Sequence, residues 1–180
     1  LHAKYSTQSG EPVVGDTEWG HLQIDATAIF LLMLAQMSAG GLSIVRDRDE
    51  LNFVQNLVWY LAHAWRTPDY GIWERGHKRN DGQAEVNASS VGMAKAALEV
   101  VNGAQLLPGA DSPRIHVPAD AIAQARHTLE SLLPRESESK ETDAALLSII
   151  GFPAFAVGDA TLIERTRSEC ALGVVEITGI

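Results

Sequence analysis

Hydrophobic residues recur at helical spacing along most of the chain. The first such stretch, about 21–39, is apolar on most sides, and Gly40-Gly41 ends it. Its longest apolar run, 26–35, is shorter than the about 20 residues that a membrane-spanning helix needs. We therefore interpret this stretch as a buried helix of a folded domain rather than a membrane anchor.

A second helix is predicted to begin at a capping box, with Asp47 at the cap and Glu50 three residues later. Its apolar positions share one face at helical spacing: Leu51, Val54, Val58, Leu61 and Trp65. This spacing predicts a single buried stripe. Pro68 is predicted to end the helix, because proline disfavours the helical conformation of the residue before it.

Two more helices follow the same pattern. The third is predicted over 88–101, with one apolar face and Asn102-Gly103 at its end. That face consists of Val91, Ala94, Leu98 and Val101. After a loop rich in proline and glycine, a fourth helix is predicted to have Pro118 at or near its first turn. Its apolar residues in register are Ile122, Ala125, Leu129 and Leu132.

The last third of the chain predicts two shorter helices. One covers about 142–150 and is broken by Pro153, and the other begins near Asp159, a plausible cap. Extended structure is predicted only near Val13-Val14 and at 174–177. The long connections carry most of the unusual residues, which favours an all-α array of helical hairpins or a toroid over a four-helix bundle.

Composition narrows the classes of function. The net charge of −9 argues against a nucleic acid as partner, since that partner requires clustered Lys and Arg. The six histidines lack paired ligand spacing, so we predict no metal site, and no motif indicates a cofactor. Cys170 is the only cysteine, which excludes an internal disulfide and favours a cytoplasmic location. The first residue is not Met, so we expect a fragment or a processed chain.

The most informative local feature is the pair Trp73-Glu74, in a glycine-flanked loop between two predicted helices. A carboxyl group against an aromatic face, shielded from water, has its neutral form favoured, as a general acid requires. Such an aromatic side chain can also stack on a sugar ring. The alternative is that Trp73 packs the loop onto the core and Glu74 is solvated.

Two further groups have the composition of a carbohydrate pocket. At the start of the first helix, Trp19, His21, Gln23 and Asp25 combine an indole, an imidazole, an amide and a carboxylate, and Asp16 and Glu18 lie just before them. Acidic residues there would equally offset the helix dipole, and both alternatives stay open. Glu85 begins the second group, 85–90, whose Asn and Ser residues are also good helix caps.

These motifs resemble, in order, those of glucoamylase-type inverting glycoside hydrolases, which fold as an (α/α)6 toroid. The matching stretches are Trp19-Gly-x-x-Gln-x-Asp25, Trp73-Glu74 and Glu85-Val-Asn-x-Ser-Ser90. The resemblance implies that Glu74 takes the general-acid position. It implies substrate-binding positions at Trp19, His21, Gln23, Asp25, Trp73 and Glu85. In this chain His21 replaces the family's Arg, and an insertion at about 75–84 separates two glutamates that are adjacent in secreted glucoamylases.

A closer resemblance is to the regulatory subunits of phosphorylase kinase. It rests on residues 15–26, 53–58, 69–76 and 87–99, with shorter stretches at 132–137 and 152–156. It favours the β-type over the α-type. The resemblance implies a role in glycogen metabolism and a hetero-oligomer with the kinase catalytic subunit and other regulatory subunits. It also implies calmodulin binding and, through a lipid anchor absent from this chain, association with the plasma membrane.

We therefore expect residues 1–170 to form part, about half, of a glucoamylase-like (α/α)6 domain, followed by a divergent tail at 171–180. Inverting hydrolysis needs a second carboxyl group about 6.5–9.5 Å from the acid. In the related hydrolases that base lies beyond the position equivalent to residue 180. We thus predict a non-catalytic regulatory and scaffold subunit, whose pocket binds oligosaccharide at most. The alternative is an inverting glucoamylase-type hydrolase with Glu74 as its general acid.

Overall fold

The computed structural model describes residues 5–13, 22–72, 84–109 and 111–178, with the backbone alone for 173–178. These residues form six α-helices and one short 3-10 helix, Ala144–Leu146. The α-helices are α1 Ile24–Ala39, α2 Arg48–Ala64, α3 Ala88–Val101, α4 Ala121–Leu132, α5 Leu147–Ile150 and α6 Ala160–Thr178. Within the described ranges, β-structure is limited to two isolated bridges, Tyr5 with Pro12 and Asp69 with Glu85. The all-α prediction is confirmed.

Helix α1 confirms the first predicted helix from Ile24 onward, and residue 21 lies outside the described residues. One side packs into the core through residues such as Ala28 and Leu31, neither of which is exposed. Phe30 on another side is 48% exposed. Helix α1 therefore also has apolar residues on a side that the other described helices do not cover. No helix in the described part of the chain has the length and hydrophobicity of a membrane span.

Helix α2 has the predicted stripe, and all five of its members are buried. The Asp47 carboxylate accepts a hydrogen bond from the Glu50 amide at 2.9 Å, as the predicted cap requires. The Glu50 carboxylate accepts from the Arg46 amide at 2.8 Å, one residue earlier than a capping box would have it. The helix ends at Ala64, before Pro68, because the chain turns there and Thr67 donates to the Ala64 carbonyl.

Helix α3 is the centre of the fold and has the predicted bounds. Twelve of its fourteen residues are buried, so the prediction of one apolar face was too narrow. It packs against α1, α2, α4 and α5. Gly92 allows one of these approaches, because a Cβ atom at this position would lie 2.8 Å from the Ile149 Cγ2 atom.

The remaining helices follow the predictions with shifted ends. Helix α4 begins at Ala121, and the Pro118 carbonyl accepts from the Ala121 amide at 3.1 Å, so Pro118 lies in the turn before the helix. The fifth predicted helix splits into the 3-10 turn and α5. Asp159 caps α6 as predicted, accepting from the Thr161 amide at 2.8 Å. The extended structure expected at 174–177 is wrong, since α6 continues through Thr178.

Candidate functional site

Asp69 makes hydrogen bonds to several elements in the region of the predicted site. Its side chain is completely buried between the end of α2 and the start of α3. One carboxylate oxygen, Oδ2, accepts from the Ile24 amide at 3.1 Å and from the Ser90 hydroxyl at 2.7 Å. The other, Oδ1, accepts from the Asn87 amide nitrogen at 2.7 Å. Because these bonds reach the first residue of α1 and the start of α3, Asp69 ties the two helices together.

The backbone of Asp69 joins the two ends of the segment that contains Trp73 and Glu74. The Asp69 amide donates to the Glu85 carbonyl at 2.8 Å, and the Glu85 amide donates back to the Asp69 carbonyl at 3.0 Å. Asn87 adds a side-chain donor to both carbonyls, at 3.1 and 3.0 Å. The backbone pairing therefore holds residues 69 and 85 side by side.

Gln23 lies at this site but is engaged internally. Its side-chain nitrogen donates to the carbonyl oxygens of Gly71 and Ile72, at 3.2 and 3.3 Å. Gly71 has φ of 71°, a left-handed conformation that favours glycine. The side-chain nitrogen of Gln23 therefore fixes the turn at Gly71 and Ile72.

Glu85 is fixed by the connection between α4 and the 3-10 turn. One carboxylate oxygen accepts from the hydroxyls of Ser137 and Ser139, at 2.8 and 2.6 Å, and the other accepts from the Ser139 amide at 3.0 Å. Burial raises the pKa of Glu85, but the hydrogen bonds from Ser139 and Ser137 outweigh it and hold this pKa below its ordinary value. Glu85 is thus an ionised hydrogen-bond acceptor and is not suited to donate a proton.

The same connection caps α3 from outside. Glu136 is 1% exposed, and its carboxylate accepts from the Ser89 amide at 3.2 Å and from the Ser89 hydroxyl. The Glu136 carbonyl accepts from the Ala88 amide at 2.7 Å. Asn87, Ser89 and Ser90 were good cap candidates in the sequence, yet their side chains donate to Asp69 and Glu136 instead. A negative charge at a helix N-terminus is stabilised by the helix dipole.

Asp25 is the titratable group most affected by its surroundings. It is 7% exposed, and its Oδ1 atom has no hydrogen-bond partner among the described residues. Burial raises the pKa of Asp25 from 3.8 to about 6, and the charge of Asp69 acts in the same direction. The backbone amides of Asp25 and Ala26 offset part of this shift. Asp25 therefore changes between its protonated and ionised forms near pH 6, above the pH at which a solvent-exposed carboxyl group does so.

This shift predicts a pH-dependent contribution to stability. Because the folded-state pKa of Asp25 lies above its unfolded value, its contribution is full below about pH 4 and is lost as pH rises through about 6. The unfolding free energy of Asp25→Asn should rise relative to that of the wild type as the pH is increased. We expect this difference to grow by about 2 kcal/mol from about pH 4 to about pH 7.5. Urea unfolding of both proteins at the two pH values measures this.

The Asp111→Asn variant, which makes the same substitution at an exposed position, is the matched control. Carboxyl groups with lowered pKa values, such as Glu85 and Glu99, are common to all three proteins and cancel in the comparison. A constant difference between Asp25→Asn and the wild type would show that Asp25 titrates normally.

The described structure thus brings together three of the predicted site residues, Gln23, Asp25 and Glu85, around Asp69. Trp19, His21, Trp73 and Glu74 lie outside the described residues, as do Asp16 and Glu18. Asp69 was not singled out from the sequence. Its position between a helix-ending proline and the Trp-Glu loop was the available signal. Within the described residues, no group of three or more His, Cys, Asp or Glu side chains could hold a metal ion.

The helices packed around the buried carboxylate of Asp69, together with the motifs of the sequence, are those of a glucoamylase-like domain. The chain belongs to glycosyl hydrolases family 15, whose family model matches residues 1–176. The described helices are accordingly part of a glucoamylase-like helical toroid.

Among individual proteins, the chain is similar to phosphorylase b kinase regulatory subunits alpha. It is 59% identical over 169 residues to the probable subunit of Drosophila melanogaster, covering 93% of this chain and 14% of that protein. It is 57% identical over 171 residues to the skeletal muscle isoform of Oryctolagus cuniculus, with coverage of 94% and 14%. The liver isoform of Takifugu rubripes is 56% identical over 171 residues, with the same coverage. The chain spans 14% of the length of these relatives.

Proposed function

We propose that the chain is the glucoamylase-like part of a phosphorylase kinase regulatory subunit and acts in glycogen metabolism as a scaffold. The observation that carries this proposal is the identity of 59% over 93% of the chain to a protein of that name. The three relatives described above are α subunits, so we propose the α-type in place of the β-type that the short motifs favoured.

The proposed partners are the kinase catalytic subunit and other regulatory subunits in one hetero-oligomer, together with calmodulin. The proposed location is the cytoplasm, with lipid-mediated attachment to the plasma membrane. The first partner has the firmest support, because a regulatory subunit acts on a catalytic one. Calmodulin binding and membrane attachment rest on the family resemblance.

We further propose that the sugar site binds oligosaccharide without cleaving it. Two described features support this. The carboxylate of Glu85 is occupied by Ser137 and Ser139, and the amide nitrogen of Gln23 is occupied by the loop carbonyls. Both side chains are therefore engaged in hydrogen bonds within the described fold. Polar groups that are engaged in this way serve the fold and are not available for a proton transfer.

The test is glucose release from a short maltooligosaccharide by the full-length subunit and by its Glu74→Gln variant. We expect no release above the buffer rate from either protein. In a working hydrolase, removing the general acid would lower the rate by about 10²–10⁴-fold. Circular dichroism spectra of both proteins establish that they are folded.

A second arm of the same experiment examines the scaffold role. Both proteins are co-expressed with a tagged kinase catalytic subunit and with calmodulin, and we expect equal copurification of wild type and Glu74→Gln. Glucose release that disappears in the variant would instead support the hydrolase alternative. Failure to copurify with the catalytic subunit would contradict the proposed scaffold role.

A further inference from the structure

The Glu85 carboxylate receives hydrogen bonds from a single turn of the connection after α4. The Ser137 and Ser139 hydroxyls donate to its Oε2 atom at 2.8 and 2.6 Å, and the Ser139 amide donates to its Oε1 atom at 3.0 Å. We call residues 137–140 the serine turn. The two serines lie 52 and 54 residues after Glu85, so the turn meets the candidate sugar site only in the folded chain.

The serine turn is itself held in place by several contacts. The Ser137 amide donates to the Lys140 carbonyl at 3.1 Å, and the Lys140 amide donates to the Ser137 carbonyl at 3.3 Å. The Arg135 guanidinium donates to the carbonyls of Ser137 and Glu138, at 3.3 and 2.9 Å. The Lys140 side chain forms a buried ion pair with Asp143. The fold therefore fixes the positions of the donors that Glu85 uses.

These contacts leave one acceptor position of Glu85 unused. A carboxylate offers about four positions at which its oxygens accept a hydrogen bond. Two serine hydroxyls use Oε2 and one amide uses Oε1, so the described residues leave a position on Oε1. Although burial raises the pKa of Glu85, the hydrogen bonds from Ser139 and Ser137 lower it below its ordinary value, and the charge of Arg135 acts in the same direction.

An ionised carboxylate that is held in this way is suited to accept a hydrogen bond from a sugar hydroxyl. Hydrogen bonds to a charged acceptor are about twice as strong as those between neutral groups. Because the serine turn fixes Glu85 before a ligand arrives, binding costs little of the conformational entropy of this side chain. The same contacts that prevent Glu85 from donating a proton therefore prepare it as an acceptor.

We propose that Ser137 and Ser139 are positioning residues of the oligosaccharide site. They hold the Glu85 carboxylate so that its remaining Oε1 position accepts a hydroxyl of the bound sugar. This inference rests on the proposed function, since it takes a neutral oligosaccharide as the ligand. It adds that the affinity for this ligand depends on a turn that does not itself contact the sugar.

The experiment is isothermal titration calorimetry of a short maltooligosaccharide with the full-length subunit in the assembled kinase complex. Ser139→Ala removes one donor at an exposed position, and we expect it to raise the Kd by about fivefold. Ser139→Thr keeps the hydroxyl and should restore the wild-type affinity. Ser131→Ala is the matched control, because Ser131 is also exposed and its hydroxyl donates to the Thr128 carbonyl on α4. Circular dichroism establishes that each variant is folded.

A double-mutant cycle tests whether Ser139 acts through Glu85. Glu85→Ala removes the carboxylate and should weaken binding by more than Ser139→Ala does. In the Glu85→Ala background, Ser139→Ala should cause no further loss, because the group that it positions is gone. If Ser139 only supported the fold, its loss would lower the affinity in both backgrounds.

The pH dependence of binding provides a second distinction. Ser139→Ala removes a hydrogen bond to the ionised carboxylate, so it should raise the pKa of Glu85. Binding that needs ionised Glu85 is lost as the pH falls through this pKa, and the loss should therefore begin at a higher pH in the variant. Asp25, which titrates near pH 6, is common to both proteins and cancels in the comparison.

Three results would overturn the inference. They are a Kd that Ser139→Ala leaves unchanged, a full effect of Ser139→Ala in the Glu85→Ala background, and a Kd that Glu85→Ala leaves unchanged. The last result would mean that another part of the chain uses the Oε1 position. Each of them, with binding by the wild type intact, overturns this inference alone. A wild-type complex that does not bind the maltooligosaccharide contradicts the proposed oligosaccharide binding and this inference with it.

Discussion

Replacing Asp69 with alanine is expected to lower the unfolding free energy of the chain by about 4 kcal/mol. The substitution leaves two buried donors, the Ile24 amide and the Ser90 hydroxyl, without their acceptor, and it removes one of the acceptors of the Asn87 side-chain amide. Each buried donor left unsatisfied costs about 1–3 kcal/mol. Relief of the repulsion between Asp69 and Asp25 offsets part of this loss. Urea unfolding followed by circular dichroism measures the change.

Two further variants make this result interpretable. Asp69→Asn keeps the size of the side chain but turns an acceptor into a donor at one atom, so it should also destabilise the protein. Asp111→Ala, on an exposed loop, should stay within about 0.5 kcal/mol of the wild type. A loss of less than 1 kcal/mol in Asp69→Ala would show that Asp69 does not hold α1 and α3 together.

Gly92→Val is expected to lower the unfolding free energy by about 3 kcal/mol. A Cβ atom at Gly92 would lie within 2.9 Å of three Ile149 side-chain atoms, and valine adds two methyl groups beyond it. Helix propensity works in the opposite direction by less than about 1 kcal/mol, since glycine is a poor helix former. Packing therefore decides the sign of the change. Urea unfolding again provides the measurement.

Gly158→Val is the matched control, because a Cβ atom there would have no neighbour within 4 Å. Combining Gly92→Val with Ile149→Ala provides a second check, because removing the Ile149 branches leaves room for the valine. The double variant should lose less stability than the two single losses added together. Strict additivity would mean that Gly92 and Ile149 do not contact each other as described.

Local signals predicted the helices well. The stripe of α2 and the caps at Asp47 and Asp159 depend on residues close together in the chain, so periodicity and capping chemistry suffice to find them. The start of α4 was placed three residues early, because a proline suits both the first turn of a helix and the turn before it. The exact end of a helix depends on the direction of the chain beside it, which local signals do not determine.

Such local signals do not predict contacts between residues that are distant in sequence. Ser89 is polar, yet it is buried in α3, because Glu136 accepts hydrogen bonds from it across 47 residues of sequence. The connection at 134–139 consists mostly of polar residues, yet Glu136 and Ser137 are buried there. In both cases a partner distant in sequence determines the burial of a polar residue.

The candidate site likewise combines residues that the sequence predicts with contacts that only the fold determines. Gln23, Asp25 and Glu85 were found from motifs, and the structure places them around a hub that no motif identified. Their internal hydrogen bonds depend on the three-dimensional fold and could not be inferred from residue type. The roles assigned to Trp19, His21, Trp73 and Glu74 stay predictions.

The backbone pairing between Asp69 and Glu85 has a consequence for how such domains diversify. It closes the base of the intervening segment through bonds that do not involve the residues within it. The entropy of closing a loop grows slowly, by about 0.6 kcal/mol for each doubling of length. A change in the length of the segment between Asp69 and Glu85 over evolution therefore costs little in closure entropy and leaves the pairing at its base in place.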